Sequence, residues 1–260
     1  MKKFFIGSLV AVFSFNLSIG QENIKKLVSD FQSTDWEVVK EAKEKLENTG
    51  KVIIPEIIVL IKSDENKKLE NTKDLIYPGA TKFYGHGQML EYQIDSIPIR
   101  AGWLLEDLTF QNFGFKGYHL TDKNELITII KYTFPEYYSN STNRKDIENG
   151  SVKEIRKTLM KLSLLKVNKW WDKEKDSWNR LSALLAALQS YDEIRNIKAL
   201  FYIRNGRTLC PGLTKDYYIE EISREIVRLS GSEIKRISEN AKLILLDVKY
   251  EWLEIKPQPE

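Results

Sequence analysis

A single cysteine, Cys210, occurs in the 260 residues. No internal disulfide is therefore available, and stability has to come from packing; the thiol itself reads as a small buried apolar group. Histidine is almost as scarce, with only His86 and His119. No Asp, Glu or Cys stands at a recognisable ligand spacing around them, so no metal site is assigned. The pattern G-x-x-x-x-G-K-[ST] does not occur, which excludes a phosphate loop of that type, and a G-x-S-x-G nucleophile elbow is missing as well. No cofactor and no catalytic residue follow from the sequence. A dominant sign of charge is also lacking: 40 Lys+Arg are interleaved with 37 Asp+Glu, the pattern of solvated helix faces and not of a nucleic-acid partner.

Long apolar runs are confined to the start. In MKKFFIGSLVAVFSFNLSIGQ, Lys2 and Lys3 precede the run Phe4–Phe15, and Ser18 and Gly20 take the −3 and −1 positions of a cut before Gln21. That layout is the one of a cleavable signal peptide. The run is shorter than the ~20 apolar residues that span a bilayer, so no stable membrane insertion is expected after cleavage. With no cysteine at the cut there is no lipid attachment point. Residues 1–20 are expected to be removed, leaving a periplasmic or secreted chain whose formal charge falls from +3 to +1.

What the remaining sequence has in abundance is helical signal. Thr34-Asp35-Trp36-Glu37, Ser151-Val152-Lys153-Glu154 and Ser190-Tyr191-Asp192-Glu193 each read S/T-x-x-E, the capping box. Each precedes an apolar stripe of helical period: Trp36, Val39, Ala42 or Lys43 and Leu46; Ile155, Leu159 and Leu162; Ile194, Ile197 and Phe201. Further helices are predicted over Asn23–Gln32, Pro55–Lys62, Arg100–Phe110, Asp122–Tyr132, Lys175–Leu188, Asp216–Leu229 and Ser232–Leu246. Only Met89–Ile94 alternates like a strand. The expected fold class is all-α, an irregular α-solenoid or multi-helix array of antiparallel helix pairs carrying an aromatic and glycine-rich insert.

Two stretches carry a family resemblance. DWEVVKEAKEKLENTGKVIIPEIIVLI pairs a helix bearing Ala42 and Leu46 with a turn at Asn48-Thr49-Gly50 and a second helix striped by Ile54, Ile57, Ile58 and Ile61. IPIRAGWLLEDLTFQNFGF repeats the theme with Ala101, Leu104, Leu105 and Leu108. Both resemble HEAT-type helical repeats. They stand about 60 residues apart, beyond the ~40–47 period of that family, with an insert at 63–97 between them. The implied organisation is an N-terminal HEAT-like region over 21–133, a link over 134–150 (FPEYYSNSTNRKDIENG) and a C-terminal helical region over 151–260.

The insert contains YPGATKFYGHGQ, Tyr77–Gln88. Pro78-Gly79 fits the centre of a type II turn, with Gly79 supplying positive φ. Tyr77, Phe83 and Tyr84 fit a self-packed loop or a recognition loop. A related aromatic turn, TFQNFGFKGYH, follows the Arg100–Phe110 helix. Arg100 and Asp107 share a helical face and Glu106 lies about 100° away, so the two acids form no dyad; ion pairs on a solvated face, or a contact that stabilises the stack against the next helix, are expected. In KWWDKEKDSW, Trp171 and Trp178 are seven apart and are expected on one buried helical face with Leu181, Leu185 and Leu188. The candidate binding residues are Tyr77, Phe83, Tyr84, His86, Arg100, Trp103, Phe113, Phe115 and His119. The expected function is an exported, non-enzymatic protein-binding or scaffolding module, an immunity-type inhibitor being one form of it, with another protein as partner. The alternative is a hydrolase or carbohydrate-active protein using the 77–88 loop, Glu91, Arg100 and the 109–119 turn.

Overall fold

A computed structural model describes residues 22–80, 87–205 and 210–247. Among them, helices dominate and the strands amount to one pair of two residues each, so the fold is all-α. The chain divides into two compact units, Met1–Ala101 and Gly102–Glu260. No helix among the described residues is long and apolar enough to cross a membrane.

The first unit begins with α1 (residues 22–31). Next comes α2 (Trp36–Thr49), which buries Trp36, Val39, Ala42, Lys43 and Leu46, the stripe read from the sequence. Its cap is Asp35 and not Thr34: the Asp35 carboxylate accepts from the Glu37 and Val38 amides. A carboxylate at the positive end of a helix is the stronger acceptor, which explains the shift. After the turn at Gly50–Ile53, α3 (Ile54–Ile61) carries Pro55 in its first turn and buries Ile54, Ile57, Ile58, Leu60 and Ile61.

The insert after α3 is tied down by its own backbone. The Glu70 amide donates to Thr34 O at 2.6 Å, Lys67 N to Asp95 O at 2.7 Å and Ile97 N to Glu65 O at 3.0 Å. Strands β1 (Leu75–Ile76) and β2 (Gln88–Met89) pair in parallel and close the base of the loop between them. The extended segment expected over Met89–Ile94 shrinks to the two-residue strand Gln88–Met89, although burial still alternates along it, with Leu90, Tyr92 and Ile94 inside. Gly79 has φ +80° and the Ala80 amide donates to Tyr77 O at 3.1 Å, the turn that Pro78-Gly79 predicts.

The helix α4 (Ile97–Thr109) starts in the first unit and continues into the second. There it is followed by a short 3₁₀ turn (Phe115–His119), α5 (Lys123–Thr133), α6 (Pro135–Ser139), α7 (Ser141–Asn149) and α8 (Val152–Glu174). The Ser151 capping box is present with both of its bonds. Residues 134–150, read from sequence as a link, are helical instead. Phe134 and Ile147 belong to one buried cluster with Leu126, Ile130, Ile155, Leu159 and Leu162, so the segment is packed into the unit and no boundary falls there. Its polar text is the solvent face of two short helices, one capped by Asn140.

The rest comprises α9 (Arg180–Leu188), α10 (Glu193–Asn205), α11 (Lys215–Tyr217), a π turn (Tyr218–Ile222), α12 (Ser223–Ser230) and α13 (Lys235–Asp247). At α10 the cap is Asp192, accepting from the Ile194 and Arg195 amides, while Ser190 Oγ accepts from Asp192 N. Trp171 and Trp178 do not share a helix face, because α8 stops at Glu174 and α9 starts at Arg180. Trp178 is buried in the connection and Trp171 is half-buried against Trp170. Cys210 is buried, as the sequence suggests, and desolvation raises its thiol pKa.

Candidate functional site

Three of the nine residues singled out from the sequence, Phe83, Tyr84 and His86, lie outside the described residues. The other six are distributed between the two units, and α4 carries two of them, Arg100 and Trp103; Glu106 lies on the same helix, and both Arg100 and Glu106 are buried rather than on a solvated face.

Arg100 stands in the first turns of α4, where the helix dipole disfavours a cation. It is nonetheless 0 % exposed. Its guanidinium is held by carbonyls alone among the bonds found: Nε donates to Ile94 O at 2.8 Å, Nη1 to Phe31 O and Ser33 O at 2.9 Å each, and Nη2 to Lys67 O at 3.1 Å. These acceptors come from the end of α1, the turn after it and both ends of the insert. Burial pushes the guanidinium down to about 10, with Asp95 and Tyr77 opposing the shift. Asp95 Oδ1 accepts from the Leu69 amide at 2.9 Å and from the Tyr77 hydroxyl at 3.1 Å. Burial and Asp95 together raise the Tyr77 phenol well above its ordinary value. Arg100 and Tyr77 are thus brought together as a clamp on the insert, with their polar atoms turned to the chain itself.

Glu106 lies near the other end of α4, where the dipole disfavours an anion. It is also 0 % exposed. Its Oε1 accepts from the amides of Phe113, Gly114 and Phe115 at 2.6, 2.9 and 3.3 Å. Gly114 has φ +95° and ψ +3°, the left-handed geometry that lets successive amides converge on an anion, which an L side chain adopts only with strain. Lys198 Nζ stands 3.7 Å from Glu106 Oε2 and 2.9 Å from Asp107 Oδ1. Phe113 and Phe115 are buried by this turn, Phe113 edge-on to Trp170 at 5.5 Å, and Phe115 against the Cα of Gly102. Trp103 is half-buried on α4. His119 ends the 3₁₀ turn half-buried, and desolvation lowers its imidazole pKa.

A second ring of polar groups in the same unit escaped sequence reasoning. Lys166 follows Leu159 and Ser163 along the buried side of α8 and places Nζ 3.1 Å from Thr133 O and 5.4 Å from the Phe134 ring centroid. Arg195 Nε donates to Phe110 O at 3.2 Å, and Asn112 Nδ2 to Asp192 Oδ2 at 3.2 Å. Arg180 is buried with its guanidinium 4.6 Å from the Tyr202 ring centroid. Polar residues at stripe positions, Lys166 after Ile155-Leu159-Leu162 and Asn196 beside Ala199-Leu200, were the available signal.

Elsewhere, a cleft of about 410 Å³ opens between α1 and the C-terminal end of α2, lined in part by Lys26, Asp30, Lys45 and Thr49. None of the nine residues lines it. Among the described residues no three His, Cys, Asp or Glu side chains group as a metal site. No protein-family model matches the sequence, and no curated protein or solved structure shows significant similarity to it.

Proposed function

We propose that the chain is an exported, non-enzymatic helical-repeat protein that works as a protein-binding or scaffolding module, an immunity-type inhibitor being one form such a module takes. The observation that carries this reading is the distribution of side chains. Among the described residues, the buried polar groups of Arg100 and Glu106 are occupied by the chain itself, whereas large apolar groups stand in solvent on the packed helices α10 and α13. Phe201 is 60 % exposed and Leu246 82 %, with Leu243 and Leu245 exposed beside Leu246 in sequence. Surfaces of this kind mark contacts with other proteins. The α2–α3 hairpin, broken at Gly50 and restarted at Pro55, supports the HEAT-like part of the proposal, and the N-terminal run Phe4–Phe15 supports export.

The test is capture of a partner from the exported fraction of the source cells by the chain beginning at Gln21, alongside a Phe201→Asp/Leu246→Asp variant. The wild type is expected to retain a defined protein that the variant loses while keeping its circular dichroism spectrum and Tm. Equal capture by both chains, or turnover of ester or glycoside substrates without any captured protein, would refute the proposal.

A further inference from the structure

Charge is interleaved along the chain as a whole, but not on α8. From Ile155 to Trp171 this helix carries Arg156, Lys157, Lys161, Lys166 and Lys169 and no acid. Burial sorts its two sides. Ile155, Leu159, Ser163 and Val167, each four residues after the last, are buried and form the ridge on which α8 packs. Residues two positions away lie about 200° round the helix. Lys153, Lys157, Lys161, Leu165, Lys169 and Lys173 therefore make a second ridge on the opposite side, and all six are exposed, Leu165 at 55 %. The two ridges run parallel, so the lysine row faces away from the packed side over its whole length, about 30 Å at 1.5 Å per residue.

The row keeps most of its charge. Among the described residues Lys153, Lys157, Lys161 and Lys169 enter no ion pair, and Lys173 pairs with Glu174 at 3.4 Å. Glu154, the acid beside the start of the row, is spent on the Ser151 amide and hydroxyl at 2.8 and 2.7 Å. Met160 and Leu164, both half-buried, stand three residues after Lys157 and Lys161 and so flank the row. With Leu165 they form an apolar centre between lysines.

Such a row needs a negative partner, and its composition indicates which kind. The ridge contains no arginine, whose guanidinium fork binds a carboxylate or phosphate bidentately, and the Arg156 guanidinium on its flank is spent on the Leu120 carbonyl. Protein interfaces are depleted in lysine and enriched in arginine and aromatic rings, and single-stranded nucleic acid is gripped by stacked rings. The row offers neither. Lysine is a point charge on a flexible apolar stem, and the stem can lie along apolar material while the ammonium stays in a polar layer. A straight, convex ridge of ammoniums around an apolar centre matches a flat anionic surface with an apolar interior.

We infer that this face of α8 docks the protein onto a membrane surface carrying anionic lipid headgroups, with the lysines over the headgroups and Leu165 at the acyl boundary. The contact is peripheral, since no helix among the described residues is long and apolar enough to cross the bilayer. It lies on a different helix from Phe201 and Leu246 and is independent of the partner surface proposed there.

Co-sedimentation with vesicles tests this, using the chain beginning at Gln21 so that the run Phe4–Phe15 contributes nothing. Binding is expected to vesicles of equimolar phosphatidylcholine and phosphatidylglycerol, not to phosphatidylcholine alone, and is expected to fall as added salt shortens the Debye length. Lys157→Gln/Lys161→Gln is expected to weaken it roughly 30-fold, at about fivefold per lysine. Leu165→Ser is expected to weaken it about fivefold. These positions are exposed, so circular dichroism spectra and Tm are expected to match the wild type. Phe201→Asp/Leu246→Asp is expected to bind vesicles as the wild type does. No binding at low salt, equal binding to neutral vesicles, or unchanged binding by the lysine pair or the Leu165 variant would overturn the inference. Tighter binding of polyglutamate or duplex DNA than of vesicles, unaffected by Leu165→Ser, would overturn it in favour of a soluble polyanion.

Discussion

Arg100 and Glu106 sit on the same helix, six residues apart, and both are fully buried, yet they solve opposite problems. In the first unit a cation gathers four carbonyls from the ends of otherwise irregular chain. In the second an anion gathers three consecutive amides of an aromatic turn. Each ion stands at the helix end whose dipole opposes it. Neither is there to stabilise α4. Each is there for the non-helical chain it organises: Glu106 for the aromatic turn after α4, Arg100 for the ends of the insert and the turn after α1. The difference lies in the counter-charge: Glu106 has Lys198 within 3.7 Å, while Arg100 relies on carbonyl dipoles and a more distant Asp95.

That contrast can be pushed until it breaks. Arg100→Met is expected to have the largest effect, a loss of about 4 kcal/mol in urea unfolding, because it strands four carbonyls without water to replace the donor. Arg100→Lys is expected to recover little of it, since one ammonium has no fork to reach four acceptors. A loss under about 1 kcal/mol for Arg100→Met would mean that the insert is held by something else.

Glu106→Gln comes next, at about 2 kcal/mol: one oxygen still faces the amides, but the charge that strengthens those bonds and faces Lys198 is gone. If both substitutions cost the same, the proposed difference in counter-charge is immaterial. Gly102→Ala is a smaller and sharper case. Helix propensity favours alanine by about 1 kcal/mol. The added Cβ, however, would stand 2.2 Å from the Phe115 ring. Packing is expected to win, with a net destabilisation of about 1–2 kcal/mol.

The smallest effect concerns pH. Burial lowers the His119 pKa, so the unfolded chain takes up this proton at higher pH than the folded one. The stability contributed by the neutral imidazole is complete above the ordinary pKa of roughly 6.5 and is lost as pH falls from there through the depressed native value. His119→Gln is expected to flatten the pH dependence of Tm in that window. An unchanged slope would show that His119 is not the group responsible.

Much of this organisation was legible beforehand. Amphipathic stripes placed the helices because burial of Val39, Leu46 and Ile155 follows directly from helical spacing. Pro78-Gly79 gave its turn for a purely local reason, and Ser151-Glu154 gave its capping box likewise. Two other capping boxes slipped to a neighbouring aspartate, because the pattern does not rank competing acceptors. Of the two placements expected for the cluster, a contact from Glu106 to another helix is present through Lys198. The solvated face fails for Arg100 and Glu106, which are buried, and it fails for a deeper reason. Their partners are backbone carbonyls and amides, which carry no residue identity and leave no spacing to recognise. The boundary expected at 134–150 failed on the same ground: polarity on the outer face of short helices looks like a loop until Phe134 and Ile147 are seen inside. Lys166 shows the converse, a charge on a buried stripe that a strictly apolar reading passes over.

The account holds that the aromatic turn after α4 and the ends of the insert are architecture, held by the two buried ions of α4. Backbone hydrogen exchange on Glu106→Ala tests this most directly. The amides of Phe113, Gly114 and Phe115 are expected to lose their protection together, while the Leu69 amide, held by Asp95 in the other unit, keeps its own. Unchanged protection at those three amides would contradict it.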